Sequence, residues 1–317
     1  MRLMITVLGS IHVDFVIRVK RFPHPGETIL GHGFTILPGG KGANQAVGCG
    51  RLGVKTFMVG KIGRSFRDML VDNFKSNNVD TSYITFTDEY ETGVAVIYVN
   101  DETGENMIAV DPGADYALSR GDVDRAEPAL SSSRVFLTQL EIPIELVEYS
   151  LAKAAEYVDY VVLNPAPASS LRGEVLRHVD VITPNRSEAS LLTGVKVTDV
   201  KSAVEAGRRL IEMGVEHVVV TMGSEGAVLV ARDHALLFPA FRVSVVDTTG
   251  AGDAFNAGLA YGLAAGLPLP ESVKIGVAAA AIKVTKPGAQ TGLPWRADLD
   301  VFAQRREFQE YEPVVVA

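Results

Sequence analysis

Cysteine is almost missing: Cys49 is the only one in 317 residues, so no disulfide forms within the chain and no thiolate cluster can hold a metal. The expected location is the reducing cytoplasm. Long apolar runs are missing as well. No stretch of 18 apolar residues occurs, and the apolar start from Met1 to Gly9 is too short for a secretory core and lacks a small-residue cleavage site. Neither a membrane span nor a leader is expected. Positive charge is in the minority, with 30 Lys and Arg against 38 Asp and Glu and a net charge of -8. Surfaces that displace counterions from nucleic-acid phosphates concentrate Lys and Arg, so nucleic acid is not an expected partner. A small phosphorylated ligand stays open, because main-chain N–H groups at a helix start hold phosphate whatever the global charge.

What is present is alternation. Short apolar runs, Met4 to Leu8, Val135 to Leu137, Val158 to Leu163, Val179 to Ile182 and His217 to Thr221, alternate with helical patterns at 44–52, 66–77, 145–156, 187–192, 200–213, 252–265 and 271–285. That rhythm predicts a Rossmann-like α/β fold, a central, mostly parallel sheet flanked by helices. Residues 12–37 and 91–111 break it with alternation and turn chemistry but no helix; Asp101-Glu102-Thr103-Gly104 between two apolar runs reads as a hairpin. Joined, the two stretches predict a small β-sheet lid beside a large domain of residues 1–11, 38–90 and 112–317. The other reading is an antiparallel extension of the main sheet. The last dozen residues follow a final helix and carry no chemical signal.

Two glycine motifs carry the chemistry. In Asp247-Thr248-Thr249-Gly250-Ala251-Gly252-Asp253, a strand-like Phe241 to Val246 leads into a glycine turn and a helix start. The amides of Gly250, Ala251 and Gly252 then stand at the positive end of a helix, ready to cradle an anion. Asp253 fits two roles there: a base that takes the proton of an attacking hydroxyl, or a cap on the first helical turn. The second motif, Gly39-Gly40-Lys41-Gly42-Ala43-Asn44-Gln45-Ala46, has three glycines in four positions. It suits a backbone that approaches a ligand closely, with Lys41 and Asn44 to bond hydroxyls, or else an ordinary turn. Gly48-Cys49-Gly50-Arg51-Leu52-Gly53 matches the dinucleotide fingerprint G-x-G-x-x-G in form only. It continues a helix instead of following a strand, and Gly53 reads as the helix stop.

At these motifs the chain resembles the ribokinase family, the PfkB carbohydrate kinases, over residues 5 to 304 or so. Further matching segments are Pro23-His24-Pro25-Gly26-Glu27-Thr28, Thr92-Gly93-Val94-Ala95, Gln139-Leu140-Glu141, Asn164-Pro165-Ala166-Pro167, Thr183-Pro184-Asn185 with Glu188, Thr221 to Gly226, and Gly288-Ala289-Gln290. The resemblance implies transfer of the terminal phosphoryl group of ATP to the 5-hydroxyl of a sugar, ribose first, with Mg²⁺. It implies Asp253 as the base and Gly250, Ala251 and Gly252 as the anion hole. It further implies that His12, Asp14, Gly40, Lys41, Asn44 and Glu141 hold the sugar, and that Asn185 and Glu188 organise phosphate and Mg²⁺, Glu188 through water. By residue type alone, Asn185 and Glu188 would pass for a helix cap and a first-turn acid. The nucleotide is expected along Thr221, Gly223, Ser224 and Gly226, with Val277 backing adenine. Asp247, Thr249, Lys283, Lys286 and Gly288 match a site for K⁺, which would brace the anion-hole loop. A homodimer through the lid is also implied.

Three positions depart from that pattern. His12 stands where ribokinases commonly carry Asn, which leaves a deoxy sugar, another pentose or a nucleoside as alternative acceptors. Val277 stands where a His is often found near adenine. Gly292 replaces a residue that often carries a hydroxyl near the cation.

Overall fold

In the computed structural model, residues 3–169 and 171–317 are described. Among the described residues, fourteen strands make two sheets. The strands are β1 (Met4–Leu8), β2 (His12–Val19), β3 (His32–Gly39), β4 (Lys55–Ile62), β5 (Val79–Phe86), β6 (Gly93–Asn100) and β7 (Asn106–Asp111), followed by β8 (Val135–Thr138), β9 (Tyr160–Leu163), β10 (Val181–Ile182), β11 (His217–Thr221), β12 (Ala227–Val230), β13 (Ala235–Phe238) and β14 (Val314–Val315).

The large sheet runs β14-β13-β12-β11-β10-β9-β8-β1-β4-β5. It is parallel from β5 to β11 and antiparallel from β11 to β14. Its central strands are apolar on both faces, as β8 (Val-Phe-Leu-Thr, fully buried) illustrates, because helices cover both sides. One apolar layer joins the sheet to the Lys41–Arg51, Ala251–Ala264 and Leu269–Val284 helices; the other joins it to the Ile144–Ala154 and Val200–Glu212 helices.

The small sheet, β3-β2-β6-β7, is separate. The two hairpins join through parallel pairing of β2 with β6, in which His12 faces Gly93. Asp14, Ala95 and Val110 lie side by side on one face, and Phe15, Ile36 and Val96 on the other. The chain enters and leaves this sheet at His12, Gly39, Gly93 and Asp111, so all four crossings meet at its base.

One expectation needs correction. Phe241 to Val246 is not a strand: this stretch is irregular and pinned by the Val246 and Asp247 N–H groups, which donate to the Val284 carbonyl at 2.7 and 3.2 Å. The C-terminal tail forms one edge of the large sheet, where β14 bonds to β13. Phe241 packs instead against Phe302, Phe308 and Tyr311. The last dozen residues are therefore structural, a role their composition did not announce.

The rejected fingerprint is a packing device. A Cβ on Gly48 would lie 2.6 Å from Ala257 Cβ, and one on Gly50 would lie 2.2 Å from the Asn77 carbonyl oxygen. These glycines let the Lys41–Arg51 helix lie hard against its neighbours.

Candidate functional site

The Ala251–Ala264 helix begins at Gly250, whose φ of 78° is left-handed and has no side-chain cap. The Ala251 N–H donates to the Thr248 carbonyl at 3.1 Å and is therefore spent, which removes it from the expected anion hole. The Gly250 and Gly252 N–H groups bond to no described residue, and open space lies where a Cβ on Gly252 would be. Two amides of the three remain to meet an anion.

Asp253 follows immediately, 7% exposed, and it does not cap its own helix. Its carboxylate reaches across to the start of the Lys41–Arg51 helix. Asn44 Nδ2 donates to Oδ2 at 2.8 Å and Gln45 Nε2 donates to Oδ1 at 3.0 Å. Behind them a buried amide network holds the geometry: Gln139 donates to Gln45 at 2.6 Å, Gln45 to Asn164 at 3.0 Å, and Thr183 to Asn256 at 2.7 Å. Burial raises the Asp253 pKa, and the positive charge of Lys41 and the two amide donors oppose the rise. A carboxylate with a raised pKa, held by neutral donors, is the setting of a general base.

Gly40 caps the Lys41–Arg51 helix at φ 89°, and a Cβ there would come within 2.9 Å of the His12 N and the Ser10 carbonyl oxygen. Only glycine brings this helix start so close to the β1–β2 connection. Glu141 locks the junction: its Oε2 accepts from the Lys41 N–H at 2.9 Å and from Ser10 Oγ at 2.5 Å, while Oε1 lies 3.8 Å from Lys41 Nζ. Asp14, on β2, completes one wall. Burial pushes its carboxyl up to about 6, with His12 and Lys41 pulling down and Glu141 and Asp253 pushing further up. Burial lowers the Lys41 pKa, but Asp253, Glu141, Glu188 and Asp14 more than restore it. These groups sense one another's charge because the fold gathers them around the start of the Lys41–Arg51 helix.

His12 is also at this junction, but it is only 2% exposed and its Nε2 lies 2.7 Å from Oδ2 of the fully buried Asp115. The sequence singled out His12; nothing marked Asp115, which stands 103 positions away in the Gly113–Ala117 turn. Gln45 was missed too, although its neighbour Asn44 was not.

Asn185 and Glu188 form a capping box on the Arg186–Thr193 helix: the Glu188 N–H donates to Asn185 Oδ1 at 2.9 Å and the Asn185 N–H to Glu188 Oε2 at 2.8 Å. That cap leaves the other Glu188 oxygen without a partner among the described residues. Burial raises the Glu188 pKa against the pull of the Asn185 N–H and Lys41, and Asp253 raises it further, so Glu188 stands within electrostatic reach of Lys41 and Asp253. Thr221 pairs with Asn185 beside it. Gly223 and Gly226, both at positive φ, fold the loop around Ser224. Val277 is 5% exposed and belongs to the apolar core.

Asp247, Thr249, Lys283, Lys286 and Gly288 also meet. The Asp247 carboxylate accepts the Thr249 N–H at 2.8 Å and the Gly288 N–H at 2.7 Å. Among their oxygens lies the Lys283 ammonium, 2.8 Å from the Asp247 carbonyl oxygen and 3.4 Å from that of Lys286. A free K⁺ bound at the Asp247 and Lys286 carbonyls would have to compete there with the chain's own cation.

Residues 2–296 match the model of the pfkB family of carbohydrate kinases. The chain belongs to this family. Among pfkB relatives, it is 41% identical over 299 residues to a ribokinase of Haemophilus influenzae, covering 94% of this chain and 97% of that protein. A deoxyribokinase of Salmonella typhi is 36% identical over 292 residues, covering 92% and 95%. A solved structure of Arabidopsis thaliana ribokinase complexed with ribose and ATP superposes with a TM-score of 0.85 at 28% identity, covering 95% of this chain and 98% of that one. As a pfkB carbohydrate kinase, the chain is a phosphotransferase with an alcohol group as acceptor. No helix among the described residues is long and apolar enough to cross a membrane.

Proposed function

We propose that this chain phosphorylates the 5-hydroxyl of D-ribose with ATP, giving ribose 5-phosphate. The observation that carries the reading is the aim of Asp253. Asn44 and Gln45 hold its carboxylate beside two unengaged amides, so a proton acceptor and an anion hole stand together where an alcohol would attack a phosphoryl group. Asp14, Lys41, Asn44 and Glu141 supply the donors and acceptors that a polyhydroxylated substrate needs, with Gly40 keeping the backbone close and His12 behind them. The nucleotide lies along Thr221, Gly223, Ser224 and Gly226 toward Gly250 and Gly252, with Val277 beneath adenine and Asn185 near the phosphates.

Mg²⁺ belongs to this reading through the free oxygen of Glu188, acting through water, since a hard cation that keeps its waters suits a single carboxylate plus nucleotide phosphates. When bound, it neutralises charge on those phosphates. The small sheet serves as the lid, its Asp14 face over the sugar. Its other face exposes Phe34, Ile36, Val96 and Met107, and a homodimer through that surface would cover them. The cytoplasm, where ATP and free sugars occur, is the proposed location.

Deoxyribose is the competing acceptor, because His12 is held by Asp115 instead of standing free for a 2-hydroxyl. Turnover of ribose, 2-deoxyribose, adenosine, inosine and cytidine with ATP and Mg²⁺ separates the readings. Ribose is expected to have the highest kcat/KM; a lead of about tenfold for any other acceptor overturns the assignment.

A further inference from the structure

We propose that the Lys283 ammonium is a built-in monovalent cation that braces the phosphate-binding turn in place of K⁺, so this kinase needs no K⁺. The inference rests on reading 247–253 as the turn that meets the phosphoryl group.

Lys283 lies in the last turn of the Leu269–Val284 helix, and its side chain is fully buried. Lysine is almost never buried so completely unless its charge is met. The contacts of Nζ among the described residues are with acceptors: the Asp247 carbonyl oxygen at 2.8 Å, the Lys286 carbonyl oxygen at 3.4 Å and Asp247 Oδ2 at 3.9 Å. Three donors facing acceptor oxygens are the surroundings of an ammonium ion, and a compact ammonium carries the same charge as K⁺.

The bridge joins two segments. Asp247 opens the turn whose Gly250 and Gly252 amides are unengaged, and Lys286 lies in the turn that follows the helix. The Asp247 carboxylate reinforces the join through the Thr249 and Gly288 N–H groups. Gly250 rests on the second segment, since a Cβ there would lie 3.2 Å from Ala289 Cα. The ammonium therefore supplies the positive charge that fixes the anion hole's backbone, the task a bound cation would otherwise perform.

A free K⁺ is excluded twice over. The Asp247 and Lys286 carbonyl oxygens already face the ammonium, and two positive charges side by side repel in a poorly solvated site. Gly292 belongs to the same arrangement. A Cβ there would lie 3.0 Å from Lys283 Cε and 3.2 Å from the Lys286 carbonyl oxygen, so its missing side chain makes room for the lysine arm.

The test compares KCl with tetramethylammonium chloride at equal ionic strength, reading both turnover and thermal unfolding. In the natural protein, kcat is expected to differ by less than about twofold and the unfolding midpoint by less than about 1 °C. Lys283→Ala opens a cavity among the same oxygens. It is expected to lose about tenfold or more in kcat without K⁺, to recover with it, and to gain about 3 °C or more in unfolding midpoint from K⁺. Lys283→Met fills the space without the charge and is expected to be as slow, with no recovery. A natural protein that K⁺ activates, or that K⁺ stabilises well beyond tetramethylammonium, overturns the inference even if neither variant folds. Absence of sugar phosphorylation in every salt would count against the kinase reading instead, and the unfolding comparison would still decide the place of K⁺.

Discussion

His12 and Asp115 face each other at the base of the small sheet, where the Ile11 N–H also donates to Asp115 at 3.0 Å. Burial raises the Asp115 pKa against the pull of His12. On His12 burial acts downward, but Asp115, then Glu141 and Asp14, leave the ring above its ordinary 6.5. A histidine raised in this way stabilises the fold below pH 6.5, and that contribution disappears as pH rises through the folded value. Asp115→Asn is therefore expected to destabilise by about 1–3 kcal/mol near pH 6.5 and by less near pH 9. Thermal melts at the two pH values check it; an equal loss at both would mean that the ring carries no extra proton. At this scale the turn and helix start at Gly250 to Asp253 were readable from neighbouring residues, although the spent Ala251 N–H was not, and groupings of distant residues were opaque. Asp115 and the Lys283 ammonium gain their meaning from partners that only the folded chain brings near.

The Lys41–Arg51 and Ala251–Ala264 helices carry the two halves of the proposed proton-accepting site, Asn44 and Gln45 on one and Asp253 on the other. Their spacing is set by Gly48 against Ala257. Gly48→Val forces the helices apart and is expected to lower stability by about 1–3 kcal/mol and reduce kcat more than sugar affinity, because the moved groups hold Asp253. Chemical denaturation beside steady-state kinetics reads both; normal kcat in a destabilised variant would detach the helix spacing from the chemistry. Helices were the most legible elements: the 66–77 and 200–213 patterns become Arg67–Ser76 and Val200–Glu212. The β12–β13 hairpin and β14 were not called. Two-residue and four-residue strands pair through register at a sheet edge, which short apolar runs do not announce.

Across the whole molecule, a parallel sheet presents connections at one end of its strands and the small sheet stands beside them, which explains why the site collects residues from six segments. Ser10, Lys41, Glu141, Glu188 and Asp253 come from different loops and helix starts, and Asp14 from the small sheet. The alternation of apolar runs and helical patterns made the large sheet legible, and the two helix-free stretches made the small one legible as well. What the pattern left open was the role of Asp253, since capping and proton acceptance ask for the same residue type at the same place; the absence of any cap bond and the two amide donors favour the second. Asp253→Asn keeps the shape and removes the proton acceptor. Single-turnover and steady-state phosphorylation of ribose should fall by about 10² or more while sugar binding by calorimetry holds. Turnover at the natural rate in that variant would contradict the account.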